Sequence, residues 1–244
     1  MPTLRRFIAM KTKNMKTKNL KPIGTFAGAL LLTLLVAYGL ARPTAVEAQE
    51  AAAKPAAAPA TPAGAIRYDA QPTGSKMKIE GTSNIHDWTE ESSIVGGYVE
   101  ADAKFPESAL TDPKAAKPTV SAFVPVKSLK SGNKRMDSAT YDYLKQPEFK
   151  NIEYRLLELK PKSAAGATGA LKFDAVGALT IVGVTRTNTM PVTIEKTDGK
   201  LKIVGSTPVK CTDHGLKPFS FLGLATCGDD LKISFEWALA PKAP

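Results

Sequence analysis

The sequence predicts an all-β domain with one short helical insertion, arranged as an up-and-down antiparallel β-barrel. Three observations carry that expectation. About eight segments alternate apolar and polar side chains with a period of two, which puts alternate residues on one face of a strand. No βαβ rhythm runs through them, so a parallel sheet does not fit. Gly96-Gly97 lies inside one alternating segment, where a barrel corner needs a bulge or sharp bend. A sandwich stays open as the alternative, because periodicity does not separate it from a barrel.

In chain order, Lys76 to Glu80 places Met77 and Ile79 on one face. Ser93 to Phe105 sets Val99, Ala101, Ala103 and Phe105 against Tyr98, Glu100 and Asp102. Leu110 to Pro118, with Pro113 and Pro118, reads as a loop, and Val120, Ala122, Val124 and Val126 form the next apolar face. The helical insertion follows: Asn133 can cap it, Met136, Thr140, Tyr143 and Leu144 recur at helical spacing, and Pro147 ends it. Ile152, Tyr154 and Leu156 resume a strand; Leu157 and Leu159 take the opposite parity, so either a bulge intervenes or both faces are covered. Lys162 to Gly169 is a small-residue turn.

Leu171 to Glu195 then reads as two long strands joined near Gly183, with Phe173, Leu179, Ile181 and Met190 facing inward. Asp198-Gly199 is a hairpin signal ahead of Leu201 and Ile203. Leu231, Ile233, Phe235, Trp237 and Leu239 alternate in the last strand. The domain is placed at residues 66–241.

Residues 1–48 read as a signal peptide or an uncleaved N-terminal anchor. Arg5, Arg6, Lys11, Lys13, Lys16, Lys18 and Lys21 precede an apolar run from Ile23 to Ala41, and Val46-Glu47-Ala48 offers the small residues of a cleavage site. Met10 or Met15 would begin a signal of more ordinary length. Export to the periplasm or beyond is the expectation. Residues 49–65 are an Ala/Pro-rich linker, expected to be disordered for want of large apolar side chains.

The net charge of +10 changes meaning once the N-terminus is set aside. Residues 1–48 hold 8 of the 33 basic and 1 of the 23 acidic residues, and the other 25 and 22 leave only +3. That charge is spread without clusters, which excludes the concentrated basic footprint of a nucleic-acid binder.

Cys211 and Cys227 are the only cysteines, and an even pair in an oxidising compartment favours a disulfide. The loop it closes would contribute roughly 3 kcal/mol in the chain-entropy model. His86 and His214, each beside an aspartate (Asp87 and Asp213), are the only histidines. They read as rim residues that satisfy backbone or hydroxyl groups, and no metal site is assigned. No nucleophile elbow, His-Glu-x-x-His, phosphate-binding loop or dinucleotide fingerprint occurs, so no catalysis is expected.

Three stretches together resemble the YceI-like family of exported, lipocalin-like barrels associated with polyisoprenoid lipids. They are Gly81 to Trp88 ending in His86-Asp87-Trp88; Ser131 to Asp137 with Tyr143-Leu144-Lys145 and Phe149 to Tyr154; and Gly177 to Thr185 running on to Pro191-Val192. Asp213 to Leu216 and Gly228 to Ile233 fit the same pattern, so the likeness covers about Arg67 to Leu239. The insertion departs from the family, with Arg135-Met136-Asp137 in place of an Arg-Asp pair and a shorter Gln146-Pro147-Glu148-Phe149.

The resemblance implies a lipocalin-like barrel whose long apolar cavity holds an isoprenoid lipid or quinone as a non-catalytic carrier. The cavity residues expected are Trp88, Tyr98, Phe123, Met136, Tyr143, Phe149, Tyr154, Phe173, Leu179, Ile181, Met190, Phe221, Phe235 and Trp237. Head-group contacts are expected from His86, Asn133 and Arg135, with Arg135 suited to a phosphate and His86 to a quinone oxygen. Contact with a membrane surface during lipid exchange follows, and pairing of two chains stays open. The rival reading is a barrel filled by its own side chains, serving as a structural or stress-related envelope module.

Overall fold

A computed structural model describes residues 64–221 and 224–242, apart from the side chain of Phe221. The signal or anchor expected over residues 1–48 and most of the linker expected over residues 49–65 lie outside the described residues.

The strands are β1 (Ile66–Ala70), β2 (Lys76–Ser83), β3 (Trp88–Ser92), β4 (Gly96–Ala101), β5 (Thr119–Pro125), β6 (Asn151–Pro161), β7 (Leu171–Ile181), β8 (Val184–Thr197), β9 (Lys200–Lys210), the short β10 (Ser220–Phe221) and β11 (Ala225–Pro241). Three helices interrupt them: α1 (Glu107–Thr111), α2 (Pro113–Ala116) and α3 (Lys134–Tyr143).

Pairing runs antiparallel from β4 through β5, β6, β7, β8 and β9 to β11, and β11 returns to the start of the domain. It pairs with β2 over Leu231–Glu236 and with β1 over Leu239–Pro241. β1 and β2 therefore form one wall position broken at residues 71–75, where Gln71 and Ser75 both bond the backbone of Ala238. β3 and β4 form the neighbouring position, pairing with β2 and β1 in turn. The result is a closed, eight-strand antiparallel barrel, and closure leaves no long edge to pair with other chains.

The bend expected at the glycine pair is required sterically. Gly97 has φ +116°, and a Cβ there would lie 2.0 Å from the carbonyl oxygen of Ser121 on β5. Both faces of the β7–β8 hairpin follow the sequence alternation: Phe173, Leu179, Ile181 and Met190 are all buried. Val182-Gly183 makes its turn with φ of +49° and +75°, and Asp198-Gly199 makes the next with +52° and +74°. These are the doubly positive dihedrals of a type I′ turn, whose twist matches the strands it joins. The β6 ambiguity resolves as a bulge, because the register shifts between Leu156 and Glu158. Leu157 is left 60% exposed while Leu159 turns inward.

Asn133 caps α3, its side chain accepting from the amides of Arg135 and Met136, but the helix ends at Tyr143, ahead of Pro147. Residues 110–118 are not the loop expected. Most of that stretch is α1 and α2, two helices of 5 and 4 residues, with Pro113 opening α2 and Asp112 capping it. They close one barrel end, where Ala109 and Leu110 are buried beside Phe105 and Lys196 Nζ donates to the carbonyls of Ala103 and Phe105. α3 lies at the other end, near the β7–β8 turn, since β6 sets out from there with Glu153 opposite Thr180.

Candidate functional site

Inward-facing apolar residues from every wall do not meet in the middle. Two cavities remain inside the barrel, of about 110 Å³ and 220 Å³. On the same measure a space of roughly 10–15 Å³ already holds a water molecule, so this interior is hollow. The deep cavity lies towards α1 and α2, and the mouth cavity lies under α3. Ile152 and Ile233 line both, making them the shared waist.

The deep cavity is lined by Phe123, Tyr154, Leu179, Met190, Phe235 and Trp237 among the residues expected from sequence. Phe123 does so while 38% exposed, because its parity differs from that of Val124 and its ring lies over Gly96. Tyr154 lies across Gly177, where a Cβ would come within 2.1 Å of the ring and its hydroxyl. Burial pushes the Tyr154 hydroxyl up to about 12, so it stays protonated. That hydroxyl and Trp237 Nε1 have no hydrogen-bond partner.

The mouth cavity is lined by Trp88, Met136, Tyr143 and Ile181 of the expected set, together with His86. Tyr143 donates to the carbonyl of Lys217 at 2.8 Å and meets Phe219 edge to face, which fixes its ring in the wall. Both histidines reach this cavity. His86 Nδ1 donates to the carbonyl of Asp87 at 2.7 Å, and His214 Nδ1 donates to that of Val184 at 2.9 Å. A carbonyl only accepts, so each ring carries its proton on Nδ1 and keeps Nε2 as the remaining nitrogen.

Several expected residues lie elsewhere. Tyr98 is on the outer face of β4, opposite in parity to buried Val99, with the Arg67 guanidinium 3.9 Å from its ring centre. Phe149 covers Gly183 at the β7–β8 turn, and Phe173 is buried in the packed part of the core; neither lines a cavity. The side chain of Phe221 is outside the described residues. Asn133 is occupied by capping α3, and Arg135 is exposed and lines neither cavity. The causes differ: the side chain of Asn133 is taken up by the amides it caps, and Arg135 sits about 100° around the helix from Met136, off the centre of the face carrying Met136, Ala139, Thr140 and Tyr143.

The disulfide is also corrected. Cys211 and Cys227 are free thiols, one buried and one half-buried. The amide of Cys211 bonds the carbonyl of Asp229, so Asp229 faces it across the ladder, while Cys227 pairs with Ser83 on the other edge of β11. The thiols turn instead to Tyr143 and Trp88, and burial raises both above the ordinary thiol value. A raised thiol holds its proton, the opposite of an activated nucleophile or a metal ligand. Among the described residues no group of three or more His, Cys, Asp or Glu side chains could hold a metal ion.

Glu90 is the mouth-cavity residue that sequence reasoning missed. It is 1% exposed, on the same face of β3 as Trp88 and Ser92. The hydroxyl of Thr140 on α3 donates to its Oε1, while Oε2 has no partner. Burial raises its pKa above the ordinary carboxyl value, and nearby Asp137 adds to the rise. The shared parity of Trp88, Glu90 and Ser92 was the available signal.

The model of the YceI-like domain matches residues 68–239. Burkholderia cenocepacia BcnA is similar in structure, with a TM-score of 0.56 and 19% identity over 70% of this chain and 99% of its own. A polyisoprenoid binding domain from Saccharophagus degradans has the same TM-score of 0.56 with 12% identity, over 72% and 99%. No curated protein sequence matches the chain.

Proposed function

The chain belongs to the YceI-like family, and on that premise we propose that it is an exported, non-catalytic lipid carrier. Its barrel holds a long-chain isoprenoid lipid or isoprenoid quinone. The observation that carries this reading is the pair of neighbouring cavities that share Ile152 and Ile233 in their walls, lined almost wholly by apolar atoms. Burying one five-carbon isoprene unit from water releases roughly 4 kcal/mol at about 0.8 per carbon. Lipid tails in a bilayer are already dry, so transfer from membrane to cavity gains little from that term. Selection among lipids then rests on cavity length and on the few polar groups at the mouth.

The N-terminal basic and apolar segments support export of the mature domain to the periplasm or beyond. Exchange of cargo takes place against a membrane surface, with the α3 end facing it. The raised thiols of Cys211 and Cys227 and the carbonyl-bound histidines support a binding role over a catalytic one. A filled barrel acting as an envelope module would have no use for these voids.

Native mass spectrometry of protein from its own host tests the proposal. A co-purifying isoprenoid, or uptake of offered polyprenol or ubiquinone, is expected. Absence of both would remove the carrier reading.

A further inference from the structure

We infer that Glu90 is the head-group contact of the mouth cavity and that it selects isoprenoids ending in a neutral oxygen, a prenol hydroxyl or a quinone carbonyl, over phosphorylated ones. This rests on the carrier reading and adds a specificity-determining residue to it.

The geometry is that of a single hydrogen-bonding group at the wall of an apolar chamber. Glu90 lines the mouth cavity from β3 and is 1% exposed. Thr140 holds its Oε1 from α3, which orients the carboxyl, and Oε2 is left unpartnered. A buried polar atom without a partner is unfavourable, so a ligand oxygen meeting it gains more than an ordinary surface contact would give. Burial favours the protonated form, in which Oε2 donates to a carbonyl or prenol oxygen, and in either form Oε2 accepts from a hydroxyl.

Among the described residues lining this cavity, no lysine or arginine stands ready for a phosphate. Lys210, the one lysine lining this cavity, has its ammonium on Asp230 at 2.9 Å. Lys130 is held by Tyr141 and by Asp137. Arg135 is exposed and outside the lining. Phosphate recognition relies on Arg or Lys forks or on free backbone amides, and a dianion beside a carboxyl in an apolar chamber has neither.

The test offers the full chain equimolar decaprenol, ubiquinone-10 and decaprenyl phosphate, and reads the bound fractions by native mass spectrometry. Wild type is expected to take the neutral lipids at least about tenfold better than the phosphate, one hydrogen bond's worth. Glu90→Met, of nearly equal volume, should keep its melting temperature and lower neutral-lipid uptake about tenfold. Glu90→Gln, which retains a donor and an acceptor, should restore most of it. Uptake of the prenol alone or the quinone alone, lost in Glu90→Met, supports the inference and names the source of the oxygen. Preference for the phosphate, or undiminished neutral uptake by Glu90→Met, overturns it while the carrier reading stands. Uptake of none of the three overturns both.

Discussion

Glu90 carries a consequence for stability that is separate from any ligand. Its folded-state pKa is raised, chiefly by burial, so between the ordinary carboxyl value and the raised one the native chain holds a proton the unfolded chain has lost. Stability from this group is full below the unfolded value and falls as pH rises through the window. Asp137 and Lys130 are the charged groups beside it, and His86 and His214 line the same cavity. Asp137 is shifted the other way by the Ser131 backbone and hydroxyl, so its contribution fades only towards strong acid. Comparing wild type with Glu90→Gln removes the terms they share. Melting temperatures between pH 4.5 and 8 should fall more steeply for wild type, and parallel curves would place an ionised carboxylate in the wall. Glu90 also shows why a buried acid is hard to read in advance: within Trp88-Thr89-Glu90-Glu91-Ser92 two glutamates adjoin, and composition alone marks both as surface.

Among the elements, the β7–β8 hairpin has a local conflict at Val182. This β-branched residue sits at φ +49°, where a branched side chain is a steric outlier and Asn-Gly is the favoured pair. Val182→Asn should raise stability by about 1 kcal/mol, read as the urea midpoint, even with its partial packing lost. A lowered midpoint would mean that packing, not turn strain, decides the position. Of the strands flanking this turn, β7 was legible because it keeps strict parity over its 11 residues. β8 was legible because Met190, Val192 and Ile194 alternate with Thr189, Thr193 and Glu195, although Arg186 and Asn188 break the apolar face before them. The short elements were not. β1 buries only Tyr68 in its five residues, so no alternation builds up. α1 and α2 are too short for a helical period to emerge, and Pro113 looks like a breaker although it opens α2. Tyr98 was misplaced although its parity against Val99 already pointed outward; aromatic character outweighed position. Arg135 was misplaced for a different reason. Sequence adjacency to Met136 says nothing of facing, because neighbours on a helix point about 100° apart.

At the scale of the molecule, the hollow interior is a stability deficit that a ligand can offset. Voids forfeit dispersion contacts along their lining, so a barrel with two of them is less stable empty than one packed solid. A lipid that binds only the folded state restores those contacts by mass action, about 2.7 kcal/mol at a hundred times its Kd. For a domain of this size that is a rise in melting temperature of about 5–10 °C. Filling the void from the protein side should imitate the effect and remove its cause. Ala175 is buried on β7, lines the deep cavity and has Met190 as its cross-strand neighbour. Ala175→Leu should therefore raise the melting temperature of lipid-free protein, as cavity-filling changes commonly do by about 0.5–2 kcal/mol. It should also shrink the further rise on adding decaprenol or ubiquinone-10, because the tail then has less room. Differential scanning calorimetry of both proteins, with and without lipid, reads the two effects together. An unchanged lipid-induced rise in Ala175→Leu would place the tail in the mouth cavity alone, and an unchanged lipid-free melting temperature would mean that the added leucine strains a wall already packed.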